Sequence, residues 1–280
     1  MASLSGNTIA STFAGLLKTS DSGARAADGA TPDQCSDGAG NTIPLFVSAT
    51  EVYAVGSGTG TSHTAFGKDC GVDLAAGTGN SLFGEGAGAD VTTGEHNTAI
   101  GYHALFLGTT ESDDNVAIGY NAMSGAIGTE SVNDCVAIGS GALAGGLDST
   151  DGADEASGSV AIGKASLAAL VSGAKNTAVG FGAGTALTTS DNNVVMGYNA
   201  LYRATTESDD NVVIGYNAMS GNFTTAVVND CVAIGSGALA GTLTADATGT
   251  TAVGTSACAA ITSGQQNTAI GFEALDANVI

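Results

Sequence analysis

From about residue 50 to its last residues, the chain alternates two textures. Apolar runs of four to nine residues, each closed by glycine at a fixed place, are separated by stretches rich in Gly, Ser, Thr, Asn and Asp. The runs share one pattern, Asn-x-Ala-Ile-Gly-[Tyr/Phe/Ser]-x-Ala-Leu. Clear copies start at Asn97, Asn115, Cys135, Ser159, Asn176, Asn193, Asn211, Cys231, Thr250 and Asn267, and weaker ones end at Gly84, Gly67 and Gly56. Runs this short, closed by Gly and bounded by turn residues, predict strands rather than helices. In Asn115–Gly119, Val116 and Ile118 point to one side and Ala117 to the other. Both sides are apolar, so both are expected to be buried. One can fill the inside of a coil. The other needs a second surface that a single thin coil cannot supply, which predicts an oligomer. The following Tyr-x-Ala-Leu/Met predicts a second short strand, and the motif glycine marks a sharp turn or a close backbone approach.

From Gly67 to Gly271 the motif glycines are separated by 17, 17, 18, 20, 24, 17, 17, 18, 20, 19 and 17 residues. The motif keeps its length and the connection does not. The motif is therefore the structural rung, and the extra residues belong in surface loops. Short units repeated in register predict a solenoid, each unit burying its apolar face against its neighbours. The fold class expected is all-β, a parallel β-roll or β-solenoid of about 13 short rungs, spanning roughly 60 Å. A 96-residue superrepeat overlies this period: residues 111–146 and 207–242 match at 29 of 36 positions, as a duplicated block of five rungs would.

Residues 1–50 lack the motif and form a small irregular N-terminal segment; residues 51–280 form the repetitive roll. Ile9, Phe13, Leu16 and Leu17 have helix-like spacing, and residues 21–42 read as loop. The segment is expected to attach the chain to a larger particle or to cap the roll. The last motif closes at Leu275, leaving an open rung that its own tail or a partner must cover.

Charge narrows the partners. The 280 residues include 27 acids and 6 bases, a formal charge of −21. Such a rod does not attract nucleic acid or an anionic membrane. No stretch reaches the 18 apolar residues a spanning helix needs, and the N-terminus lacks a basic region followed by an apolar core. Five cysteines, Cys35, Cys70, Cys135, Cys231 and Cys258, show no metal spacing. An odd, unpaired set suits a protein made in a reducing cytoplasm. Cys135 and Cys231 share one motif slot and read as small buried fillers.

Candidate chemistry is sparse. His63, His96 and His103 have no ligand spacing and read as solvated or satisfied surface residues. Residues 56–62 (GSGTGTS) lack the lysine of a phosphate loop. No nucleophile, base and acid come together, so no enzyme activity and no cofactor are expected. Glu111, Asp113 and Asp114 recur as Glu207, Asp209 and Asp210, and Asp134 as Asp230. They read as solvated turns, with calcium binding as the sharper alternative.

The repeat resembles the head repeats of trimeric autotransporter adhesins, through SVAIGKASL at Ser159 and GSGALAGG at Gly139. With its TT-rich and DD-containing linkers it is also similar to repeats of tailed-phage fibre proteins. The resemblance covers about residues 52–275 and implies a left-handed roll with three chains around a three-fold axis. Here the period is 17–24 residues rather than near 14, so the loops are longer. A surface adhesin needs a secretion signal and a membrane anchor, neither of which is seen, so the expectation is a virion fibre, on tail or capsid, and the alternative is a fragment of a bacterial adhesin. A β-solenoid lyase or an ice-binding solenoid is disfavoured by few aromatics and bases and by the uneven period. The fibre reading implies a homotrimer whose core holds Ile100, Ile118, Ile162 and Ile214, contact with other virion proteins through residues 1–50, and a host surface glycan or protein as receptor. The receptor-facing loop expected is the longest insertion, holding Asp148, Asp151, Asp154 and Glu155.

Overall fold

A computed structural model describes residues 63–74, 76–106, 112–125, 131–147, 157–204, 208–223, 228–243 and 248–276, with the strand backbones at 33–36, 42–47 and 52–55. Two N-terminal strands, β1 (Asp33–Ser36) and β2 (Thr42–Val47), pair antiparallel. So the stretch 21–42, expected as loop, contains a strand. Residues 9–17 lie outside the described residues.

The roll is one sheet of thirteen strands in sequence order. They are β3 (Val52–Val55), β4 (His63–Phe66), β5 (Ser81–Phe83), β6 (Thr98–Ile100), β7 (Val116–Ile118), β8 (Val136–Ile138), β9 (Val160–Ile162), β10 (Thr177–Val179), β11 (Val194–Met196), β12 (Val212–Ile214), β13 (Val232–Ile234), β14 (Thr251–Val253) and β15 (Thr268–Ile270). From β4 onward every neighbour is parallel and in strict motif register, as in Val116↔Val136, Ala117↔Ala137 and Ile118↔Ile138. β3 runs antiparallel to β4. The weak copy ending at Gly56 is therefore a hairpin arm laid on the first rung, and twelve parallel rungs remain, one fewer than the sheet's thirteen strands.

The core follows from the alternation. Each three-residue strand buries its middle residue and turns the other two outward. Ala99, Ala117, Ala137, Ala161 and Ala178 form an inner column that widens to Val195 and Val213. The opposite wall comes from the segment after glycine, and this is not the second strand expected. Ala122 and Met123 are adjacent and both fully buried. An extended strand would send them to opposite faces. Instead Asn121 (φ 52°) and Met123 (φ 51°) adopt the left-handed conformation, and Ala122 N–H closes a turn on Gly119 O. That bend points both side chains inward and wraps the coil in few residues. The segment still bonds between rungs: Asn121 N–H donates to Tyr102 O, and Met123 N–H to Ala142 O, both at 2.9 Å.

The motif glycine is required twice over. Gly119 has φ 136°, and a Cβ there would sit 2.8 Å from the Gly139 carbonyl on the next rung. A turn and a close approach coincide, so both readings of this glycine hold.

Candidate interaction face and stacked columns

In register, each motif slot becomes a column of like side chains. The column at the motif's first position is buried and polar. Asn80, Asn97, Asn115, Asn176, Asn193 and Asn211 are fully buried. Asn97 Oδ1 accepts from Asn115 N–H at 3.0 Å and Asn115 Nδ2 at 3.1 Å, and Asn115 Nδ2 also donates to Val132 O at 2.7 Å. Each asparagine is thus tied to both neighbouring rungs and to the loop entering the next. His63 starts the column: it is buried, not on the surface, and Asn80 N–H lies 3.3 Å from its Nδ1. Cys135 interrupts the column, its N–H donating to Asn115 Oδ1 at 3.0 Å. Burial pushes the Cys135 thiol up to about 11. Cys231 repeats this against Asn211 Oδ1. Cys70, Cys135, Cys231 and Cys258 are all buried and outside any disulfide, which at Cys135 and Cys231 fits the filler reading. The motif slot that Cys135 and Cys231 share made that reading legible; the asparagine network was not anticipated, although the recurrent Asn before each apolar run carried the signal.

Of the recurring acids, Asp113 and Asp209 are used by the backbone, and Glu111 and Glu207 lie outside the described residues. Asp113 Oδ1 accepts from Glu95 N–H at 2.7 Å, and Asp113 N–H donates to Asn133 Oδ1 at 2.8 Å. Asp209 Oδ1 likewise accepts from Asp191 N–H at 2.9 Å. The second acid of each set sits at a left-handed position, with φ 57° at Asp114 and 58° at Asp210, where a short polar side chain is tolerated. Among the described residues no three His, Cys, Asp or Glu side chains are placed to hold a metal ion. His96 is exposed, with Nδ1 3.5 Å from Asp114 Oδ1. His103 stacks on Phe106 at 4.0 Å.

The outward face of the sheet carries one apolar column and one column that mixes valine with threonine, as at Thr98, Thr177, Thr251 and Thr268. Ile100, Ile118, Ile162 and Ile214 all lie on it, outside the coil's own core, with Ile100 40% exposed. The first strand positions, Val116, Val136, Val160 and Val212, point the same way. An aromatic column flanks them just past the glycines. Tyr102 stacks on Tyr120 at 5.3 Å, and Phe181, Tyr198 and Tyr216 stack in turn at 5.2 and 5.4 Å. Lys164 Nζ lies 5.9 Å above the Phe181 ring. Asp148, Asp151, Asp154 and Glu155 fall outside the described residues.

These columns define a parallel β-solenoid whose inward residues fill the coil and whose sheet face is apolar and uncovered. No protein-family model, curated protein or solved structure matches the chain. No helix of the described residues is long and apolar enough to cross a membrane.

Proposed function

We propose that the chain is a structural fibre protein of a phage virion, on tail or capsid, which works as a homotrimer without enzymatic activity and contributes to attachment to the host cell. The observation that carries this reading is how each motif residue is used. Ala and Leu fill the coil, Asn bonds rung to rung, Gly makes the turn, and the outward Val and Ile form a face that a lone chain leaves wet. What remains is a rod of twelve rungs, roughly 55 Å long. Three copies sharing the outward isoleucines would cover that face. Residues 1–50 dock the rod to other virion proteins, and contact with a host glycan or protein falls to the insertion between Gly139 and Gly163, which is free of the rung constraint.

The experiment is genetic and done in the particle. Deleting residues 1–50 is expected to give particles without the fibre, and deleting residues 147–157 particles with the fibre but reduced adsorption. A chain that never co-purifies with particles would overturn the reading. Unchanged adsorption after the loop deletion would remove that loop as the contact.

A further inference from the structure

The outward face has a period of its own. From rung three to rung twelve the residue after glycine reads Tyr102, Tyr120, Ser140, Lys164, Phe181, then Tyr198, Tyr216, Ser236, Thr255, Phe272. The third strand position reads Ile, Ile, Ile, Ile, Val, then Met, Ile, Ile, Val, Ile. The face is therefore two half-faces of five rungs, each with aromatic rings on three rungs and two others that are Ser140 and Lys164 in the first block, Ser236 and Thr255 in the second. Ring exposure follows the same order. Tyr102 and Tyr198, stacked against the next ring, are 41% and 46% exposed; Tyr120 and Tyr216, each followed by serine, are both 58% exposed. A Cβ at Gly141, beside Ser140, would meet nothing within 4 Å, so the step after Tyr120 is open.

The occupant follows from charge and area. The chain carries 27 acids. None stands in the three outward columns from Thr98 to Phe272, where Lys164 is the one charged side chain. On a chain of −21, that face is where a like-charged copy can approach without burying carboxylates. Ten rungs, four to five residues wide, give roughly 750 Å², close to the ~800 Å² per partner of a stable protein interface.

We propose that a second copy of this chain packs on this face flush, rung for rung, and that the five-rung period leaves one chemically equivalent rival, a copy displaced by one block. This rests on the fibre reading above. The displaced register sets Tyr102–Phe181 of one copy beside Tyr198–Phe272 of the other, so like rungs still meet. It covers only half of the face. The uncovered half remains open to another copy, which builds an open-ended filament rather than a closed assembly. Flush packing covers all ten rungs and closes. The area decides between them, and intermediate displacements set rings against serine or threonine on several rungs, as in Tyr120 against Ser140 and Tyr216 against Ser236.

Crosslinking reads the register directly. In the full chain with Cys35→Ser, the remaining native thiols are buried. Ile118→Cys and Ile214→Cys introduced together place one outward thiol in each block. A short bismaleimide followed by peptide mass spectrometry is expected to give 118–118 and 214–214 links between chains. Dominant 118–214 links between chains would overturn the flush register in favour of the displaced one. A product with no links and the mass of one chain would overturn the multi-copy reading itself, a different outcome from a wrong register. Deleting residues 120–215 joins Gly119 to Tyr216 and keeps every rung in phase. It leaves only one block and so no displaced register, and this variant is expected to form no filaments; filaments of the shortened chain would contradict the two-block account.

Discussion

At the residue scale, the buried polar column sets the tightest constraints. Asn193 Oδ1 accepts from Asn211 N–H at 3.1 Å and from Asn211 Nδ2 at 3.0 Å. Asn193→Ala removes that acceptor, leaving Asn211 N–H buried without a partner and Asn211 Nδ2 with Val228 O alone, which costs about 1–3 kcal/mol. Chemical denaturation of the purified variant reads this as a lower midpoint. Thr250 stands in the same column, fully buried, and its Oγ1 has no hydrogen-bond partner. Thr250→Val is therefore expected to be neutral or to raise the midpoint, since the hydroxyl is desolvated for no return. A loss at Thr250 as large as that at Asn193 would contradict this assignment. Gly215 sets the second constraint. Its φ is 140° and an added Cβ would meet Gly235 O. Gly215→Val is expected to cost more than about 1–3 kcal/mol, against almost nothing for Gln265→Ala in an exposed turn. Equal melting temperatures would sink that claim. The glycine was legible in the sequence because it holds its place while the loops vary. The asparagine's partners were not, because they lie one rung away and only register brings them together.

At the element scale, the strand was readable and the segment after it was not. Alternation over Val-Ala-Ile gives an inward and an outward face without ambiguity, but it does not say which face is inside. The structure resolves this by volume: Leu and Met from the far wall take the interior, leaving room for Ala from most strands and for a larger side chain only at Leu82, Val195 and Val213. Tyr-x-Ala-Leu looks like a strand in sequence because left-handed φ at Leu and Met, as in Leu105 (φ 50°) and Met219 (φ 48°), runs against local preference. Repeated inter-rung bonding, as in Leu105 N–H to Ala122 O at 2.9 Å, overrides that preference. Stacking elements also bring acids together. Asp90 has its carboxyl raised above the usual aspartate range, first by burial and then by Asp73 on the preceding rung. A raised folded value means the protonated form is favoured in the fold. This contribution is fully present below the unfolded aspartate range and is lost as pH rises through the folded value. Asp90→Asn is therefore expected to raise the melting temperature at pH 7, with the gain vanishing in acid below the aspartate range. A gain that persists unchanged at low pH would show that the carboxylate's charge is not its cause.

At the scale of the whole molecule, stability is a sum over rungs and their interfaces, and no rung stands alone. A strand apolar on both sides was legible in the sequence through Val116, Ala117 and Ile118; the single chain buries Ala117 and leaves the two outward side chains half-buried. The five-rung period of that face was half legible. The 96-residue duplication is visible by alignment, but its meaning for packing appears only when Tyr120 and Tyr216 are seen at the open ends of their stacks. None of the acids stands in the three outward columns from Thr98 to Phe272, and on the proposed reading that is where other copies pack. The central claim is that this chain is built to be one strand of a side-by-side assembly. Light scattering on the purified chain, alongside circular dichroism to confirm the fold, tests it most directly. The account predicts a mass near three times 26.9 kDa. A well-folded species that stays at 26.9 kDa as its concentration rises would contradict it.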